Sequence, residues 1–594
     1  MADGVRSASR YGFIGAVAIW HLCLVGMVET FAERELIGEA ITMGYLMMAA
    51  IVMLVGYVAG RKASAPPHAL LFSAISGGMT GIGILLLILA TDKLHIGEIF
   101  PFATPHLIEL LTLGIGIESL TVLLVPLLAG VVVGVVGGAL TLLPPDWRRS
   151  VTLAFVTITL LGLMRDVIAV LLPSGIRKII FTSSGLTYPA AAVLLLLSGA
   201  GFWAQTYFQE RARLSSATRA LSGETPQRTW RWWAGMVVLS LFLLTFPMWS
   251  KSFLSNVASF VGLYIIMGLG LNLVIGFAGM LDLGFVAFYA IGAYTMAILT
   301  SPAIASSYYN QPVETGFLTF WQALPFSMIA ALIGGTLLAL PILKMRGDYL
   351  AIATLGFGEI IRILVQSDFL KSFERTGPDG ETFDVTFLGG AQGITRIARP
   401  EIGDFMIKDP EQFYYLILIG CLLALFISFR LKKSRMGRAW MAIREDEDVA
   451  QAMGINRVTA KLWAFVIGAF LGGLSGGIFA SMLGSVVPKS FELLISINVL
   501  ALIIVGGMGS LPGVVVGAVA MVGLPEMLRE FGEYRMLVYG AVVVVMMLYR
   551  PQGLWPESVV AREVEEARAK QAEQEHNVAE SNRPPPSAEN QVQG

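Results

Sequence analysis

Apolar residues run along this chain in blocks long enough to cross a bilayer, separated by shorter polar intervals. The window 121–143, TVLLVPLLAGVVVGVVGGALTLL, carries no charge, and a hydrocarbon core needs only ~20 apolar residues of helix. Similar blocks fall near 12–32, 41–60, 69–91, 151–173 and 187–207. Ten more follow near 233–250, 254–276, 281–300, 321–343, 348–369, 413–430, 462–484, 491–508, 513–530 and 536–549. The pattern predicts an all-α, polytopic membrane helix bundle of about 16 spans, within roughly 14–17. Because the blocks recur along the whole length, none reads as a signal peptide.

The polar intervals set the expected sidedness. Interval 430–461 holds eight Lys or Arg and belongs in the cytoplasm. Counting back from it, 371–411 falls outside, as does 301–320, which has no Lys or Arg. The same parity brings inside the Arg-rich interval 209–231, the Arg61 and Lys62 pair, Arg148 and Arg149, and both termini. Arg177, Lys178, Arg529 and Arg535 land outside and run against the rule. Stretch 491–549 is Gly-rich with short blocks, which predicts broken or re-entrant helices, viable where protein or a wet cavity covers the freed backbone. Three regions result: a membrane extension of about six spans with its Arg-rich linker over 1–232, a core of about ten spans over 233–556, and a charged, then disordered, tail over 557–594.

Composition narrows the function classes. Apolar residues make up 55% of the chain and charged residues 14%, which excludes an ordinary soluble domain. A net charge of −1 gives no field that would recruit nucleic acid. Cys23 and Cys421 lie in apolar runs as small hydrophobes. The histidines are scattered without ligand spacing, so neither metal nor cofactor is expected. The dipeptide Gly-Lys occurs nowhere; without it there is no Walker A loop and no sign of nucleotide hydrolysis by this chain. No His, Cys and carboxylate constellation supports an enzyme.

Four runs carry candidate chemistry. In GLNLVIGFAGMLDLGFVAFYAIGAYTMAILT (270–300), Gly276, Gly279 and Gly284 sit beside Asn272 and Asp282. Such glycines permit close helix approach or a broken helix lining a polar path, and Asp282, at the end of a span, is expected at the membrane interface. In KMRGDYLAIATLGFGEIIRILVQ (344–366), Glu359 and Arg362 are one helical turn apart and pair, facing the bundle interior as a structural ion pair or a pathway lining. In VGGMGSLPGVVVG (505–517), Gly506, Gly507 and Gly509 beside Pro512 predict a turn between two short helices, not a phosphate cradle. The fourth is REDEDVAQAMGI (444–455). A helix from Glu445 to Met453 would carry four acids in its first turn, where they complement the dipole, and stop at Gly454. Val449 and Met453 share one face, flanked by Ala450 and Ala452; on composition alone this is either a solvated loop or a docking helix.

Together these runs, with LGGAQGI, KLWAFVIGAFLGGLSG and the closing YRPQGLWP, resemble the LivM-type permease subunits of branched-chain amino acid ABC importers, in the order of that family and over residues 250–556. The resemblance implies a permease for branched-chain or related amino acids in the bacterial inner membrane. Its implied partners are a second permease subunit, as a heterodimer, two cytoplasmic ATP-binding subunits and a periplasmic solute-binding protein. It also implies that Arg444, Glu445, Asp446, Glu447, Ala450, Ala452, Gly454 and Ile455 form the segment that docks into an ATPase groove, small residues seating it closely and acids pairing with basic groups on the partner. Members of this type have a shorter extension than the one seen here, and the extension does not repeat the core motifs. Urea or short-amide transport is an alternative substrate class. A stand-alone ion- or proton-coupled carrier is an alternative mechanism, with Asp166 and Glu359 as coupling candidates.

Overall fold

The computed structural model describes residues 2–38, 41–63, 65–94, 96–113, 124–163, 165, 168, 174–182, 185–202, 230–342, 345, 347–367, 370–376, 382–527, 534–550 and 552–556. Asp166, residues 209–229 of the Arg-rich interval and the tail 557–594 lie outside that set. The chain is mostly helical, and the only strands among the described residues are four two-stranded pairs in connecting segments. Nine helices among the described residues are long and apolar enough to cross a membrane, or ten when Val286–Thr300 and Pro302–Tyr309, bent by 56°, count as one span. Several further apolar blocks form helices of only 10–17 residues, such as Tyr188–Phe202 and Leu511–Met527, so helix length alone supports fewer spans than block counting.

Two compact units divide the chain, Met1–Val238 and Leu239–Gly594. In the first, the helices Met43–Arg61, Pro66–Lys93 and Leu124–Leu142 interlock through glycine. A Cβ on Gly77 would strike the Gly130 carbonyl, and one on Gly137 the backbone of Met53. Ser73 adds a hydrogen bond of 2.7 Å to the Gly56 carbonyl, and Trp20 Nε1 one of 2.7 Å to the Gly83 carbonyl. Small residues allow this approach, and the side-chain donors satisfy polar groups where lipid supplies none.

In the second unit the helix Arg457–Leu483 is the axis, packed against Val286–Thr300 and Phe320–Ile342. Gly473 and Gly476 on it lie against the backbones of Ser327 and Tyr289. Phe285, Phe288, Phe413, Phe465 and Ile266 fill the core, each under 2% exposed. At one end of this unit Ser301 Oγ donates to Thr395 O at 2.7 Å, Ser481 Oγ to Ala398 O at 2.6 Å, and Ile394–Thr395 pairs with Ser485–Val486. Ser307 and Tyr308, from 301–320, meet Thr386 and Arg375, from 371–411, so these two intervals share an end. Cys421 is buried and its thiol donates to the Gly262 carbonyl at 3.2 Å, as a small core residue would.

Candidate functional site

The helix Trp230–Asn272 does not end cleanly. At Leu273–Phe277 it widens into a π-helical turn: Ala278 N–H donates to Leu273 O at 3.3 Å and Met280 N–H to Val274 O at 3.0 Å. Drawing the residue 280 amide back to residue 274 removes the normal helical partner of the Gly276 carbonyl. The chain then turns at Gly279, whose φ of +69° suits glycine, and runs without helix to Phe285.

That loop is packed tightly. Asp282 is fully buried, with one carboxylate oxygen accepting from Gly284 N–H at 2.8 Å. It is enclosed by protein and holds its own turn. Leu283 N–H donates to Thr354 Oγ1 at 3.1 Å and Val286 N–H to Ser496 Oγ at 3.0 Å. Gly284 lies directly on the Thr354 carbonyl, leaving no room for a Cβ.

The second glycine turn meets the first. Helices Leu493–Gly506 and Leu511–Ala518 are joined by Gly507 at φ +120° and Gly509 at φ +78°. Asn272, itself fully buried, accepts Gly509 N–H on Oδ1 at 3.0 Å. The closing RPQGLWP segment clasps the same turn, with Leu554 N–H on Val505 O at 2.8 Å and Trp555 N–H on Gly506 O at 2.9 Å.

Against these turns stands a helical hairpin. Ser434 caps the helix Arg435–Glu445 by accepting Gly437 N–H at 3.2 Å, and Trp440, fully buried, donates Nε1–H to Ala460 O at 2.7 Å. Asp446 leaves the helix in an extended conformation (φ −154°, ψ 115°) and caps the next, Glu447–Ala452, accepting the amides of Asp448 and Val449 at 2.9 Å each. The expected helix from Glu445 is thus split: Glu445 closes one helix, Asp446 is the N-cap of another, and Glu447 and Asp448 fill its first turn. Asp is a preferred N-cap because its side chain takes up orphan amides. Gly454, at φ +88°, ends the segment as predicted.

The hairpin's faces differ from the expectation. Ala450 is 3% exposed and points inward, whereas Ala452 is exposed and Val449 and Met453 are 59% and 80% exposed. The outward contact face is therefore Val449, Ala452 and Met453. Glu447 is not held out toward a partner either: Lys461 Nζ lies 2.8 Å and Arg457 Nη1 3.7 Å from its carboxylate, with Lys461 only 4% exposed. Arg444 turns inward, its Nη1 donating to the Gly276 carbonyl at 2.7 Å. Ile455 is half-buried.

The structure thus gathers Asn272, Gly276, Gly279, Arg444, Gly506, Gly507 and Gly509 at one end of the unit. Lys432, which sequence reasoning used only as a topology marker, joins them: its Nζ donates to the Gly509 carbonyl at 3.2 Å and lies 5.4 Å from the Phe277 ring centre. A Lys in the last turn of a helix was the sole sequence signal. Glu359 and Arg362 do pair, at 2.8 Å, but on the edge of their helix with side chains 31% and 29% exposed, not in the interior. Among the described residues no hydrogen bond or ion pair joins them to the glycine turns, and no group of three or more His, Cys, Asp or Glu is placed to hold a metal.

Comparison with known proteins points one way. The family described as "Branched-chain amino acid transport system / permease component" matches residues 253–547. The high-affinity branched-chain amino acid transport system permease protein LivM of Escherichia coli K12 is 41% identical over 333 residues, 54% of this chain and 74% of that protein. A probable LivM permease of Methanocaldococcus jannaschii is 21% identical over 349 residues, 52% of this chain and 95% of the relative. The LivH permease of Escherichia coli K12 is 24% identical over 295 residues, 49% and 90%. No solved structure matches.

Proposed function

Because the chain belongs to the family of branched-chain amino acid transport permeases, we propose that it is the membrane-spanning permease subunit of an ABC importer, carrying branched-chain or related amino acids across the bacterial inner membrane. ATP is hydrolysed on two separate cytoplasmic subunits, a periplasmic binding protein delivers the solute, and a second permease completes the path as a heterodimer. Residues 233–556 are the permease core; 1–232 form a membrane extension and 557–594 a cytoplasmic tail. Val237–Ser250 belongs to the continuous helix Trp230–Asn272 and adds no span; counting Ala2–Leu24 and the other four shorter apolar helices beside the ten above gives fifteen, within the expected 14–17.

One observation carries this reading. The hairpin 435–455 offers solvent an apolar face of Val449, Ala452 and Met453, while Arg444 fastens it to the first glycine turn and Lys432, just before it, reaches the second. An exposed apolar face on a short helix that is pinned to its neighbour suits a groove on a partner. The turns at Gly276, Gly279, Gly284 and Gly506–Gly509, with Asn272 and Asp282, mark where helices are broken and the solute path narrows, with Glu359 and Arg362 flanking it on the neighbouring helix. ATP binding drives transport to the extent that the nucleotide-bound subunits fit one arrangement of this end better than the other.

Affinity purification of the full-length chain in mild detergent, from cells expressing its transport partners, tests the assignment. Two ATP-binding subunits and a second permease are expected in the eluate in fixed proportion. A chain that purifies intact and alone, while the ATP-binding subunits remain in the same membranes, contradicts it.

A further inference from the structure

Two basic side chains connect the hairpin region to the glycine turns. Lys432 closes the helix Pro410–Lys432, immediately before the hairpin, and Arg444 sits in the last turn of Arg435–Glu445, midway along it. They reach two different broken elements: Arg444 Nη1 meets the Gly276 carbonyl at 2.7 Å, and Lys432 Nζ meets the Gly509 carbonyl at 3.2 Å. Asn272 ties those elements to each other through its 3.0 Å bond from the Gly509 amide. Gly279 lies so close to Arg444 that a Cβ there would stand 2.9 Å from its Cγ.

The carbonyl that Arg444 holds is one that the widened turn has released from its helical partner. In a low-dielectric setting such a carbonyl needs a donor, and a charged donor makes the stronger bond. The hairpin itself is stiff. Trp440 is bonded to Ala460 and Glu447 to Lys461, so both of its helices are tied to the start of the helix Arg457–Leu483 and, through it, to each other.

We propose that Arg444 and Lys432 are positioning residues for transport. They latch the hairpin to the turns at 276–279 and 507–509, so that displacement of its outer face by a bound ATPase moves both broken helices. This rests on the reading of the chain as an ABC permease. Loss of a latch separates ATP hydrolysis from solute movement, whereas loss of a docking contact abolishes both.

The test uses the purified full complex in proteoliposomes, with the binding protein and radiolabelled leucine. Assembly, ATP hydrolysis and leucine moved per ATP are read separately for wild type, Arg444→Gln, Lys432→Gln and Arg444→Lys. The glutamine variants are expected to retain the ATP-binding subunits and to hydrolyse ATP, while leucine moved per ATP falls on the order of tenfold, in the range of typical couplings between sites. Arg444→Lys, which keeps a charged donor, recovers part of the loss. Unchanged leucine per ATP in both glutamine variants overturns the latch. So does a parallel loss of assembly, hydrolysis and uptake, which would make these docking or purely structural residues. Should Arg444→Gln fail to insert, Lys432→Gln carries the same expectation. A wild-type chain that never retains an ATP-binding subunit overturns the functional reading itself and not the latch alone.

Discussion

Met453 is the side chain whose replacement separates docking from folding most sharply. It is 80% exposed, so Met453→Glu removes almost nothing from the fold; substitutions at such positions usually change stability by within about 0.5 kcal/mol. At a partner's groove the balance differs. Full burial of a Met side chain gains about 1.5–3 kcal/mol, and with four-fifths of it free, docking gains roughly 2 kcal/mol from this residue. A carboxylate loses that gain and adds roughly 2 kcal/mol of desolvation, with Glu445 and Asp448 exposed nearby. The sum, roughly 4 kcal/mol, is a weakening of some hundred- to thousandfold. Titration of the ATP-binding subunit onto solubilised permease measures it directly, and Met453→Leu should bind like wild type. Wild-type affinity in a well-folded Met453→Glu variant would refute the assignment of this face. Ala450→Glu would be a misleading choice, since Ala450 is buried within the chain and its loss of function would report misfolding.

Three further outcomes follow from the geometry. Glu447→Gln leaves the buried Lys461 ammonium short of its 2.8 Å partner and should lower thermal stability by about 2 kcal/mol, with Glu447→Gln/Lys461→Met recovering most of it in the same melting experiment. Gly279→Val places a β-branched residue at φ +69° against Arg444, a strain of about 1–3 kcal/mol, so ATP-driven uptake should fall sharply in a chain that still inserts. Glu359→Gln breaks a pair that is about a third exposed and lies within one helix, and should shift the melting free energy by less than about 1 kcal/mol; a larger loss would mean the pair holds helices together.

Hydrophobic blocks made the long helices legible because the pattern is local. Block 413–430 is the helix Pro410–Lys432, and 462–484 is Arg457–Leu483, extended at its start by the Asn456 cap. Between 250 and 254 the pattern suggested a gap, yet the helix Trp230–Asn272 runs through it, since a Lys and a Ser interrupt hydropathy without breaking a backbone. The glycine runs announced breaks, but neither the widened turn at Leu273–Phe277 nor its meeting with Gly509 is written locally. Arg444 and Gly276 are 168 positions apart, and Lys432 and Gly509 are 77 apart. No periodicity within either segment encodes such contacts. The sequence placed Asp446 inside the first turn of a helix from Glu445, whereas it caps the next one, although an Asp before a short helix is a preferred cap. The inward turn of Ala450 was not legible, because it depends on where Glu447 finds Lys461.

Uptake of radiolabelled leucine into proteoliposomes tests the central claim most directly. The chain is reconstituted with the second permease and the ATP-binding subunits, with binding protein supplied on the outer side and ATP enclosed. The account predicts uptake that requires both ATP and the binding protein and is unchanged when a protonophore collapses the proton gradient. Uptake by the chain alone, independent of ATP and abolished by the protonophore, would contradict it.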